Sequence, residues 1–423
     1  MTNLPYREQI PIDKGIDNTA KLLLEGYNYI TNRRKKYGRD IFETRILGGQ
    51  KAICIAGEEA VKTFYDEEKL IRHGAAPKRV RQTLFGEHAV QTMDGDKHRH
   101  RKELFMSLMS KERLEDLRKL LESQIEITLA KWTTQHKVVI YKEMVQVLTM
   151  VACVWSGIPL EENEVEKRAN QLEALFDSVG AIGPRHWKGR TSRNLAEAWL
   201  RAMVAQVRSG EINPPNETAL YKMSWYQDKN GKLLNEQIVA VELLNIIRPI
   251  VAVSVYITFE ALALHEHPKE KEKLQQKGEE YAELFIQEVR RYYPFFPVLT
   301  AKVREDFLWN GHDFKKGNLV LLDIYGTNHH PDIWEKPHLF HPERFKNREE
   351  NFYDFIPQGG GDYYRGHRCP GEWLTIEVMK VVLNFLVNNI EYIVPKQDLQ
   401  YSMVRFPSLP KSRFVISDVK RRS

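Results

Sequence analysis

The residues best suited to chemistry gather in residues 355–373, FIPQGGGDYYRGHRCPGEW, around Cys369. Three consecutive glycines, Gly359, Gly360 and Gly361, let a backbone turn or lie flat where side chains would block it. After Pro370 and Gly371 come apolar residues at helical spacing, Leu374, Val378, Val381, Val382, Phe385 and Leu386. This pattern predicts that Cys369 sits just before a helix N-terminus. The helix dipole, with His367 and Arg368 adjacent, is expected to favour thiolate over thiol. A thiolate on a glycine-rich loop suits axial ligation of an iron porphyrin. The alternative is a buried structural cysteine beside a flexible loop.

Two further constellations carry charge into apolar surroundings. Arg248 and Pro249 lie within an almost wholly apolar run from about 235 to 266. Such a run predicts a helix buried on all sides, and Pro249 should free the Asn245 carbonyl and open or kink it. A buried guanidinium requires an anion. Glu242 or Glu260 could supply one, but neither is three or four residues away, so a substrate carboxylate is the sharper candidate. In the run 97–102, KHRHRK, His98 and Lys102 share a helix face. Two donors at that spacing suit a carboxylate or phosphate, and a solvated basic helix start is the alternative.

These groups must be held by a chain of 423 residues with 42% apolar and 28% charged residues, an ordinary globular composition. Long amphipathic helices dominate, with short strand signals near 41–56, 298–322 and 391–416. Residues 41–56 around Gly48-Gly49 read as a hairpin. Residues 179–190, with three glycines and Pro184, read as a loop between helices and a candidate lid over an apolar cavity. No linker, repeat or low-complexity tract divides the chain, so residues 1–423 are expected to form a single, mainly α domain with a small β-rich flank.

The formal charge of +6 is spread over short runs without aromatic stacking platforms, which argues against nucleic-acid binding. Asn245, Arg248, Pro249 and Glu260 break the apolar run too often for a membrane span. Residues 1–15 contain no continuous apolar segment, so no leader or membrane anchor is expected. Cys54, Cys153 and Cys369 form no CxxC pair, and Cys54 and Cys153 read as small hydrophobes. This usage fits a reducing, cytoplasmic compartment.

The cysteine loop resembles that of the cytochrome P-450 superfamily, and the likeness extends over nearly the whole chain. The Gln-Gly-Gly-Gly run and the pair Arg248-Pro249 narrow the resemblance to the bacterial fatty-acid peroxygenases. Asp362 stands where the superfamily usually has Phe, in a longer loop that is typical of this branch. The resemblance implies a P-450 fold binding haem b through Cys369, with His98 and Lys102 on a propionate and His367 and Arg368 beside the ligand. Lys102 replaces an Arg there, a point charge instead of a fork. Glu288, Arg291 and Arg344 match the superfamily's structural triad. Gln91 is implied on the distal side, and Leu84, Phe85, Val179, Phe295 and Val298 along the substrate cavity.

The acid–alcohol pair of oxygen-activating relatives is missing around Arg248. The resemblance therefore implies hydrogen peroxide as oxidant, no obligatory redox partner, and a long-chain fatty acid whose carboxylate sits on Arg248 as acid–base group. Hydroxylation at the α or β carbon is the expected outcome. Decarboxylation to a terminal alkene is the alternative, though relatives given to it carry His where Gln91 stands. A reductase-driven monooxygenase and a non-catalytic haem or fatty-acid sensor are weaker readings.

Overall fold

The computed structural model describes residues 9–422. The N-terminal stretch read as free of a leader, 1–15, lies partly outside them.

The fold is assembled around the central helix Glu236–Glu266. The side chain of its N-cap, Asn235, accepts a hydrogen bond from the Gln237 N–H at 2.8 Å. From Val239 to Leu264 every residue but Pro249 is buried, as an all-round apolar pattern demands. It is long and apolar enough to cross a membrane, but 89% of its most apolar stretch is buried inside this fold. Helices Ile140–Trp155, Val165–Asp177, Pro184–Ser209 and Glu372–Asn384 pack around it. Their apolar faces and its own side chains form one continuous core.

The β-rich flank is a five-stranded sheet that includes the predicted hairpin. Strands β1 (Ile41–Ile46) and β2 (Gln50–Ile55) pair antiparallel, Ile41 opposite Ile55. Leu47, Gly48 and Gly49 close the turn with φ of 54, 88 and 85°, a left-handed run that two glycines make accessible. Strand β3 is Leu70–Ile71 and β4 is Lys137–Val139. Next come β5 (Val298–Val303), β6 (Phe307–Trp309), β7 (His312–Phe314) and β8 (Leu319–Asp323). The chain ends with β9 (Ile390–Ile393) and β10 (Val415–Arg421). The main sheet runs β1-β2-β8-β5-β3, with β2 and β8 parallel, while β4-β10-β9 and β6-β7 form smaller sheets.

Two local expectations need correction. Residues 179–190 are not a continuous loop, because Gly183 (φ 69°) caps a helix that starts at Pro184. Proline at the first helical position starts the helix rather than breaking it. Gly189 belongs to that helix as a close-approach residue, since a Cβ there would lie 2.0 Å from Ser178 Oγ. Pro249, in turn, does not interrupt the central helix, which runs unbroken through it. Burial on all sides holds the helix together where the proline removes one backbone hydrogen bond.

Candidate active site

Cys369 lies just ahead of the helix Glu372–Asn384, whose N-cap is Gly371. The glycine triplet is needed for close approach. A Cβ on Gly360 would stand 2.7 Å from the Phe352 carbonyl, and one on Gly359 2.7 Å from Tyr65 Oη. The Cys369 N–H donates to the Gln358 carbonyl at 3.1 Å, and Gln358 Nε2 lies 3.8 Å from Sγ. Arg290 then ties Gln358 Oε1 to Glu372, and Glu372 Oε2 accepts from Arg368 Nε at 2.6 Å. Below this loop Glu288 makes a bidentate pair with Arg291 at 2.7 and 2.8 Å and receives Arg344 at 3.2 Å. The expected triad is thus assembled.

Of the expected sources of thiolate stabilisation, the helix start is found, while His367 and Arg368 are not among those found. Burial pushes the Cys369 thiol upward, and what opposes it is the Gly371 N–H, Lys102 and Gln358. His367 is held well below the usual imidazole range by burial, Arg72, His98 and Lys102, so it is neutral. The Arg368 guanidinium is turned to Glu372. Lys102 is the cation that faces the sulfur, and its amine donates to the Arg368 carbonyl.

His98 and Lys102 are buried, so the basic run is not merely a solvated helix start. The His98 ring stacks on His367 at 3.8 Å between centroids. His98 Nδ1 and His367 Nε2 are both buried without a hydrogen-bond partner. Burial lowers His98 to about 4 and Lys102 to about 8.

Arg248 is buried, 7% exposed, and its Nε has no partner. Its polar contact is Nη2 to Asn245 Oδ1 at 3.4 Å. Among the described residues neither candidate acid pairs with it. Glu242 accepts from Arg101 at 2.6 Å. Both Glu260 oxygens are buried without partners, and burial pushes that carboxyl well above its usual range. Burial first, then Arg193, lowers Arg248 to about 9, which leaves it cationic at neutral pH. Cys369 is near enough to act on it in the opposite sense.

Leu84, Phe85, Val179 and Phe295 all belong to or pack against the core around the central helix. Phe295 stacks on Tyr256, two turns beyond Arg248, at 4.4 Å. The segment Arg81–Phe85 is anchored by Arg193, which donates to the carbonyls of Leu84 and Phe85 at 2.8 and 3.1 Å. Gln91, on a tight turn over Val90–Thr92, buries Oε1 without a partner. Val298 is the exception. As the first residue of β5 it packs against the separate cluster around Tyr29, Phe42 and Leu321.

The sequence profile of cytochrome P450 matches residues 219–415. The chain is 47% identical to the structure of cytochrome P450EX alpha (CYP152N1) with myristic acid, which it superposes on with a TM-score of 0.95. That match covers 98% of this chain and 100% of the other. The chain belongs to the cytochrome P450 family. It falls among the CYP152 fatty-acid peroxygenases. Cytochrome P450SP alpha (CYP152B1) in complex with (R)-ibuprophen matches at 43% identity and TM-score 0.94, over 96% and 99% of the two chains. A cytochrome P450 OleT variant in complex with arachidonic acid matches at 36% identity and TM-score 0.96, over 98% and 99%. Cytochrome P450 26B1 of Rattus norvegicus is more distant, 23% identical over 88% of this chain and 80% of its own.

P450 proteins bind haem b, and the residues here fit it. A thiol stands at the helix start, and near it lie His98, His367 and Lys102, with two buried imidazole nitrogens unanswered. Unpaired buried donors beside a cation are what an anionic propionate would satisfy. The sequence reading missed Gln358, Arg290, Glu372, Arg193 and the pair Glu242–Asn245. Gln358 adjoins the glycine triplet, and Glu242, Asn245 and Arg248 recur at i, i+3, i+6, so both could have been found. Arg193 carries no local signal.

Proposed function

We propose that residues 1–423 form one haem-thiolate domain, a soluble cytoplasmic peroxygenase that hydroxylates long-chain fatty acids at the α or β carbon with hydrogen peroxide. The observation that supports this most is Arg248, a buried cation for which no protein carboxylate is provided among the described residues. A charge in that position is stable only if an anion answers it. The long-chain acid is the anion whose other end the apolar residues around the central helix can cover.

In this reading Cys369 would hold the haem iron through its thiolate, His98 and Lys102 would hold a propionate, and His367 and Arg368 would flank the cysteine on its loop. Bound haem supplies the iron at which peroxide oxygen is activated for insertion into a C–H bond. Arg248 binds the substrate carboxylate and fixes the carboxyl end, so the α and β carbons are presented rather than the chain terminus. The anchored carboxylate takes and returns a proton of the peroxide, the work of the missing acid–alcohol pair, and no redox partner is required. Pro249 leaves no backbone N–H beside Arg248 to compete for that carboxylate. Leu84, Phe85, Val179 and Phe295 exclude water from the chain, and Gln91 offers a buried, unanswered amide oxygen. An amide at Gln91, rather than an imidazole, favours hydroxylation over terminal-alkene formation.

The test is product analysis with saturated acids of several lengths and hydrogen peroxide alone. The expected products are 2- or 3-hydroxy acids. Turnover only with an added electron donor and reductase would overturn the peroxygenase reading, and alkenes as the main product would replace hydroxylation by decarboxylation.

A further inference from the structure

Glu242 is a buried carboxylate to which the mechanism gives no task. Glu242 is 1% exposed, two turns before Arg248 on the central helix. Its Oε1 accepts from the Val90 N–H at 3.0 Å and from Arg101 Nη1 at 2.6 Å. Its Oε2 accepts from Asn245 Nδ2 at 3.2 Å. Asn245 Nδ2 also donates to the Phe85 carbonyl at 2.9 Å, and Oδ1 receives Arg248 Nη2 at 3.4 Å. An asparagine amide has two N–H donors and one acceptor oxygen. With both donors claimed by Glu242 and Phe85, only the oxygen is left to face Arg248. The amide therefore has one orientation.

We infer that Glu242 is a positioning residue for substrate binding. Its carboxylate locks the Asn245 amide so that an acceptor, not a donor, meets the Arg248 guanidinium, and it pins the turn that carries Gln91. The inference rests on the reading that Arg248 anchors the fatty-acid carboxylate. Replacing the carboxylate by an amide would set an N–H against Asn245 Nδ2. The Asn245 amide could relieve that only by rotating, which would turn its donors toward Arg248 and its oxygen toward the Phe85 carbonyl. With the amide no longer locked, the guanidinium loses its fixed partner. A single carboxylate thus couples Arg248 to the facing segment at Val90, 152 residues before Glu242 in the chain.

The experiment is a thermodynamic cycle on the haem-loaded enzyme, with myristic acid affinity measured by calorimetry. Glu242→Gln should weaken binding about tenfold, the size of one hydrogen bond to a charged group. In an Asn245→Leu background the same substitution should change affinity less than about twofold, because the intermediary is gone. Asn245→Leu alone should reproduce the loss, so the inference remains testable if Glu242→Gln folds poorly. KM should rise in these variants more than kcat falls, whereas a loss of folded enzyme would lower kcat alone. Equal weakening by Glu242→Gln in both backgrounds, or wild-type affinity in Asn245→Leu, would overturn the inference. Wild-type affinity in Arg248→Ala would instead overturn the anchoring role on which it rests, so the two failures are distinguishable.

Discussion

A charge taken out of water must be answered within a few ångströms, and the described residues of this chain do not answer all of theirs. Arg290, Arg291 and Arg101 are buried and each has its carboxylate. Arg248 has only an amide oxygen, and His98 Nδ1 and His367 Nε2 are buried without a hydrogen-bond partner. In the proposed function, the difference separates residues that hold the fold from residues that bind a ligand. For the His98 and Lys102 pair the expectation is direct. Replacing both with Ala should lower haem content per chain while far-ultraviolet circular dichroism stays near wild type. Full haem occupancy in the double variant would return them to a structural role. Cys369, Arg248 and His98 could be singled out in the sequence because each stands in a local pattern that suggests the chemistry proposed for it. Arg193 was not, and neither was the tie from Glu242 to Val90, because these partners lie more than a hundred residues apart in the chain.

Elements were read well where one periodicity covered the whole segment. The central helix and the hairpin β1–β2 follow from an all-apolar run and from alternation around paired glycines. The segment 179–190 was misread because glycine and proline mark both loops and helix starts, and only the packing of Gly189 on Ser178 tells them apart. The end of β8 shows an element boundary with an electrostatic cost. Asp323 caps the short helix Ile324–Thr327 through the Gly326 N–H at 2.7 Å, and burial raises its carboxyl to about 6. The folded protein therefore holds this proton where the unfolded chain has lost it, between about pH 4 and 6. Stability from this group is present below about pH 4 and is lost as pH rises to about 6, by roughly 3 kcal/mol. Asp323→Asn keeps an acceptor for Gly326 and removes the titration. Its unfolding free energy should fall less than that of wild type across this range, as denaturant titrations at several pH values would show. An unchanged pH dependence would mean that Asp323 is not protonated in the folded protein.

At the scale of the molecule, a buried central helix carries Arg248 and the loop before another helix carries Cys369, with apolar residues between α-helical walls. Composition and the length of the apolar runs were enough to place the chain among mainly α proteins with a small β flank. Which side chains converge was legible only where a motif named them. The central claim is that an anion on Arg248 completes the catalytic group, and it makes a demand on the wild-type enzyme that few other accounts share. A large substrate without a carboxyl group should be inert with hydrogen peroxide alone. It should be oxidised once a carboxylic acid too short to fill the cavity is added, and Arg248→Ala, folded and haem-loaded, should not respond to that acid. The decisive measurement is the rate of oxidation of the non-acid substrate as a function of short-acid concentration. The account predicts a rate that rises from near zero and saturates. Equal oxidation with and without the short acid would contradict it.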